Sequence, residues 1–192
     1  MDVPRARMRR VSVVGSTGSG KTTLGRELAA ILGVPHVELD ALNWGAGWTM
    51  VPATTFQQRV RDAISRDAWV VDGNYGGQGA REIVWECADT VVWLDFPLGV
   101  ILARLFRRTN ERIRSGRELW EGTGNRETFR GAYLSRRSLY LWALKTHRRR
   151  KREYAALLAL PQYAHLRVHR FTRPEDADAW LDAQRDAVGE SR

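Results

Sequence analysis

Eight consecutive residues, Gly15-Ser16-Thr17-Gly18-Ser19-Gly20-Lys21-Thr22, restrict this chain more than any other feature. They fit G-x-x-x-x-G-K-[ST], the Walker A pattern, which works as a turn between a strand and the start of a helix. The flanks supply that setting. Val11-Ser12-Val13-Val14 reads as a short buried strand, and Leu24, Leu28, Ile31 and Leu32 recur at helical spacing through residues 22–32. A glycine-rich turn without a ligand is the alternative, and the complete motif in this context argues against it.

The residue types dictate the chemistry. Glycines let backbone N–H groups curl around phosphate oxygens. A helix beginning near Gly20 adds free N–H donors and the positive end of its dipole. Lys21 reaches the β- and γ-phosphates as a mobile point charge, and the Thr22 hydroxyl is a hard oxygen ligand for Mg²⁺. Gly15, Ser16, Thr17, Gly18, Ser19, Gly20, Lys21, Thr22 and Thr23 are therefore the expected contacts of ATP or another nucleoside triphosphate.

A length of 192 residues suits one domain with a substantial core, and eight tryptophans argue for a folded chain. The lone cysteine, Cys87, allows no internal disulfide, points to a reducing compartment, and is expected as a small buried residue. No apolar run is long enough to span a membrane, and Arg5, Arg7, Arg9 and Arg10 are not followed by a secretory apolar stretch. The expectation is a soluble, cytoplasmic protein without a membrane partner, monomeric or dimeric. The net charge of +9 is unevenly placed: residues 104–152 hold 16 Lys/Arg and 4 Asp/Glu, a net +12, and the remainder is net −3. Such a segment suits a polyphosphate, a nucleic acid or plain solvent.

Five strand-like stretches, Val11–Val14, His36–Leu39, Trp69–Asp72, Thr90–Leu94 and Leu166–Phe171, alternate with helical patterns at 22–32, 53–66, 79–87, 98–158 and 174–187. This alternation predicts an α/β three-layer sandwich, a five-stranded parallel sheet with helices on both faces and the ligand site at the strands' C-terminal edge. The Gly- and charge-rich piece 114–127 interrupts the fourth helical pattern and reads as a loop or lid.

Further candidates lie on the same edge. Asp72 ends the third strand and is either the Mg²⁺ partner of Thr22 or the start of a turn at Gly73. Asp95 competes for that role, but Pro97 suggests a cap or turn. Asp40 is either the group that binds or deprotonates an acceptor hydroxyl, or a helix cap. Arg104, Arg108 and Arg112 recur at i, i+4, i+8 and form either a row facing phosphate or a solvated basic face. The run His147-Arg148-Arg149-Arg150-Lys151-Arg152 reads as surface or lid support. Trp44 and Trp48 are acceptor-side candidates, and His36, His165 and His169 read as structural.

The loop at 15–22, Leu39-Asp40-Ala41-Leu42-Asn43-Trp44, Val71-Asp72-Gly73-Asn74-Tyr75 and Val92-Trp93-Leu94-Asp95-Phe96-Pro97 together resemble the adenylate-kinase-related P-loop kinases. Within them the likeness is to the bacterial set labelled topology modulation proteins or small AAA-family ATPases. The resemblance implies a P-loop NTPase fold like that of the nucleoside monophosphate kinases. It also implies an acceptor-binding insertion at about 40–60 and a basic lid at about 110–132. Arg104, Arg107 and Arg108 are similar to the adenine-stacking and lid arginines of that group. The acceptor arginine that closely follows Asp-Gly there has no counterpart before Arg81 here.

Two functions emerge as expectations. The first is a phosphotransferase with ATP and Mg²⁺ on the loop, Lys21, Arg104 and Arg108 stabilising the transferring group, and Asp40 addressing an unidentified acceptor. The second is a nucleotide-dependent nucleic-acid-binding protein or weak ATPase that uses the basic segment.

Overall fold

A computed structural model describes residues 8–135 and 138–189; Arg5 and Arg7 of the N-terminal basic group and Arg136 and Arg137 of the basic segment lie outside them. The chain begins with β1 (Arg10–Gly15), α1 (Lys21–Leu32), β2 (His36–Glu38) and the one-turn α2 (Leu39–Asn43). A small antiparallel hairpin follows, β3 (Trp44–Gly45) and β4 (Thr49–Met50), then α3 (Ala53–Ala63), β5 (Trp69–Asp72), α4 (Ala80–Cys87) and β6 (Thr90–Leu94). The second half holds α5 (Leu98–Ser115), a single wide helical turn at Arg130–Leu134, α6 (Leu139–Leu158), β7 (Arg167–Phe171) and α7 (Pro174–Gly189).

The main sheet is parallel, in the order β2-β5-β1-β6-β7. Its three central strands are buried on both faces, which explains their continuous apolar runs. Alternate side chains build two cores. Val71, Val91 and Trp93 pack with Phe56, Val84, Trp85 and Tyr154, while Val70, Val92 and Val13 pack with Leu24, Leu28, Ile101 and Leu181. A polar contact within the core is satisfied: Trp85 Nε1 donates to Ser12 Oγ at 3.2 Å.

This winding places β1 between β5 and β6, at the point where the chain switches from one side of the sheet to the other. A crevice forms there beyond the strands' C-terminal ends. Gly15, Asp72 and Asp95 all sit at that edge. Among the described residues no helix is long and apolar enough to cross a membrane. Cys87 is exposed at the end of α4, not buried as its residue type suggested, because α4 presents that turn to solvent.

Candidate functional site

The loop after β1 is held by backbone geometry that only glycine tolerates. Gly15 has φ +152°, and a Cβ there would lie 2.6 Å from the Leu94 carbonyl oxygen. Gly20, in the left-handed region at φ 95°, turns the chain into α1. That helix start has no side-chain cap and no acidic residue in its first turn, so its free N–H groups face an anion site without competition. Ser19 Oγ is buried with no hydrogen-bond partner, and Lys21 Nζ reaches back to the Ser16 carbonyl at 3.2 Å.

Four side chains brace the loop from outside it. Asn74 accepts from Gly15 N–H at 3.2 Å and donates to the Gly15 carbonyl at 2.6 Å. Tyr154 on α6 donates to Asn74 Oδ1 at 2.7 Å. Arg104 on α5 donates to the Ser19 carbonyl at 2.8 Å, its guanidinium 5.0 Å from the Phe96 ring centroid. His147 Nδ1 stands 3.4 Å from Ser16 Oγ, and burial pushes its pKa below the usual histidine value, favouring the neutral ring.

Thr22 Oγ1 donates to Asp72 Oδ1 at 3.1 Å, so the expected metal pair does meet. The other Asp72 oxygen is 2.8 Å from His36 Nε2, which ties that histidine to the site instead of to the fold alone. Among the described residues no three His, Cys, Asp or Glu side chains gather into a metal cage. One hydroxyl and one carboxylate fit Mg²⁺, which keeps most of its waters and takes its other ligands from substrate phosphates.

The site's electrostatics are set by three cations. Burial lowers the Lys21 pKa to about 8; Asp72 and Asp40 oppose the shift, and Arg150 and Arg108 add to it. Burial also lowers Arg108 and Arg150. Neither arginine makes an ion pair among the described residues, and Arg108 Nε is buried without a partner. Lys21, Arg108 and Arg150 are thus desolvated cations within electrostatic reach of one another, offset by Asp72 and Asp40 but by no ion pair to either arginine, an arrangement that a polyanion relieves. The arginine row of α5 divides its work: Arg104 holds the loop, Arg108 is buried with its Nε unpartnered, and Arg112 pairs with Glu127 at 3.0 Å.

Opposite the loop, Asp40 lies in the first turn of α2 and does not cap it. Its Oδ1 accepts from the Tyr75 hydroxyl, and burial together with this carboxylate pushes the Tyr75 pKa well above the usual range. The insertion also carries an aromatic group. Trp44 and Trp48 meet edge to face at 5.9 Å, as do Trp48 and Trp120, and Trp120 Nε1 lies 3.4 Å from Glu38 Oε1. Buried Asn125 ties the loop after α5 to the hairpin: its amide donates to the Gly45 carbonyl and accepts from Trp48 N–H, both at 2.9 Å.

Asn74, Tyr154 and Asn125 were not singled out in the sequence, and His147 and Arg150 were read only within a run of surface or lid support, whereas His147 reaches the phosphate loop itself. A signal existed for some of them. Asn74 directly follows Asp72-Gly73, and His147, Arg150 and Tyr154 share one helical face at i, i+3, i+7. Asp95 does not cap α5; it is buried and paired, 2.6 Å from Arg170 Nη2 and 3.2 Å from Lys151 Nζ.

No family profile matches the chain. Over 117 residues it is 32% identical to shikimate kinase 3, chloroplastic, of Oryza sativa subsp. japonica, a match covering 54% of this chain. The chain spans only 40% of that relative's length. Among solved structures, a shikimate kinase from Bacteroides thetaiotaomicron superposes with a TM-score of 0.51 at 17% identity, over 95% of this chain and 99% of that one. A shikimate kinase from Acinetobacter baumannii in complex with shikimate aligns with a TM-score of 0.49 at 21% identity, over 95% of this chain and 90% of that one. Sheet order, phosphate loop and the Bacteroides superposition agree: the chain has the fold of the P-loop kinases.

Proposed function

We propose that this chain is an ATP-dependent phosphotransferase that moves the γ-phosphoryl group to a hydroxyl of a small acceptor. The observation that carries the reading is the glycine-held loop and uncapped helix start that carry Lys21, with Thr22 on Asp72 and with Arg108, Arg150 and Asp40 within electrostatic reach. The match to a rice shikimate kinase supports it. The narrower placement among bacterial topology modulation proteins rests on the sequence motifs alone.

The acceptor oxygen attacks the γ-phosphorus, and the bond from that phosphorus to the β,γ-bridging oxygen breaks. The leaving ADP keeps the electron pair, and Asp40 takes the hydroxyl proton. The loop N–H groups and Lys21 hold the β- and γ-phosphates, while Arg108 and Arg150 stabilise charge on the transferring group. Arg104 keeps the loop in shape through the Ser19 carbonyl. Thr22 and Asp72 would hold Mg²⁺, which supplies charge neutralisation at the phosphates. Catalysis here is positioning and electrostatics.

A panel of hydroxyl acceptors with γ-labelled ATP tests this, run with wild type and Lys21→Ala. Label transfer to an acceptor, lost in a variant with an unchanged melting profile, is expected. Equal transfer by both proteins contradicts the role of Lys21, and label released only to water contradicts phosphotransfer.

A further inference from the structure

The acceptor side of the cleft carries its own chemical instruction. Glu38 ends β2 and lies among groups of its own sign: burial, Asp72 and Asp40 all push its pKa up. Its Oε1 accepts from the Trp120 indole N–H at 3.4 Å, and among the described residues no ion pair reaches it, His36 being the one opposing charge close enough to lower its pKa. Trp120 in turn packs edge to face on Trp48, and Trp48 on Trp44, at interplanar angles of 80° and 76°, so that an aromatic corner extends from this carboxylate.

A second, independent feature sits beside it. Asn43 is fully buried, its side chain adjoins the Tyr75 hydroxyl that holds Asp40, and its Nδ2 has no hydrogen-bond partner. A buried amide donor left unused next to the expected base calls for an oxygen acceptor such as a substrate hydroxyl. The arginines on the neighbouring helices are already committed. Arg59 donates to the Leu42 carbonyl at 2.9 Å, and Arg81 is bound to Glu82 and Glu153 at 2.7 Å each. Neither is free to take an acceptor's phosphate or carboxylate, and Arg108 and Arg150, without ion pairs among the described residues, are assigned to the transferring phosphoryl group.

A carboxylate without an ion pair beside a group of indole rings is the chemistry that recognises an ammonium group, by ion pairing to the carboxylate and cation–π attraction to the neighbouring rings. We infer that the acceptor is a small polyhydroxylated amine of the amino sugar or amino alcohol class. Its ammonium sits on Glu38 within the tryptophan corner, and one hydroxyl is delivered to Asp40 and Asn43. The inference rests on the phosphotransferase reading and narrows it to an acceptor that carries an amine.

The test is a panel matched for size: amino sugars and amino alcohols, uncharged sugars and polyols, and sugar acids together with AMP. Each is assayed for acceptor-dependent ADP release by wild type, Glu38→Gln and Trp120→Leu. The amine arm is expected to give the highest kcat/KM. Glu38→Gln should raise KM for the best amine about tenfold and less than threefold for its uncharged counterpart. Trp120→Leu gives the same ordering should Glu38→Gln not fold. A sugar acid or AMP as best acceptor, or an amine KM indifferent to both variants, overturns the inference while leaving the kinase reading intact. ADP release that responds to no acceptor is the distinct failure of phosphotransfer itself.

Discussion

The two walls of the cleft are built on opposite principles. The nucleotide wall is local and cationic: one strand, one turn and one helix start supply glycines, free N–H groups and Lys21 within eight residues. The acceptor wall is assembled from distance and is acidic and aromatic. Glu38 meets Trp120 across 82 positions, and Asn125 meets Gly45 across 80. The nucleotide wall can therefore be read from a motif, while the acceptor wall exists only after the sheet and the loop after α5 have come together. Evolution of a new acceptor needs to alter only the second wall.

The largest expected effect breaks the nucleotide wall. Lys21→Ala should lower kcat by roughly 10²–10³-fold, the scale of removing one preorganised charge-stabilising donor. Circular dichroism on the same sample separates this from misfolding. Arg150→Ala, on the bridge between the walls, should lower kcat by about 10²-fold with a smaller change in nucleotide affinity, since its charge matters most as the phosphoryl group transfers. Single-turnover kinetics alongside equilibrium titration would show the split, and an affinity loss with kcat intact would move Arg150 to ground-state binding.

The acceptor wall should respond differently. Asn125→Ala removes two buried hydrogen bonds between the loop and the hairpin. A loss of about 1–3 kcal/mol in the stability of that contact is expected, seen as faster hydrogen exchange at residues 44–50, with a raised acceptor KM and unchanged ATP affinity. Equal weakening of ATP binding would show that the two walls are not separable.

The smallest effect is a pH dependence confined to the nucleotide wall. Lys21 has a pKa of about 8 in the free protein, and a bound polyphosphate raises it. Affinity is then full below pH 8 and declines as pH rises, because a neutral lysine must take up a proton to bind. The decline is at most about tenfold per pH unit. Titrations at pH 7 and pH 9 in buffers of different ionisation enthalpy would detect the proton uptake. Acceptor KM should not follow the same curve.

The contrast also explains what could be read beforehand. All five strands of the main sheet fall within about a residue or two of their apolar runs, because buried strands need them. The Thr22–Asp72 pair was legible because strand order in a parallel sheet brings strand ends together. The hairpin at Trp44–Met50 was not, since two strands of two residues each carry no periodicity. The face of α6 was hidden for another reason: six Lys/Arg within 145–152 mask the His147–Arg150–Tyr154 spacing, so a helix that reaches the loop reads as a charged surface.

The most direct test of the central claim, that Lys21, Arg108 and Arg150 together form a polyphosphate site, is calorimetric titration of Mg–ATP at pH 7 into wild type and an Arg108→Ala/Arg150→Ala variant. The account predicts one saturable site in the wild type and at least tenfold weaker binding in the variant. No heat of binding to the folded wild-type protein, or equal affinity in both, would contradict it.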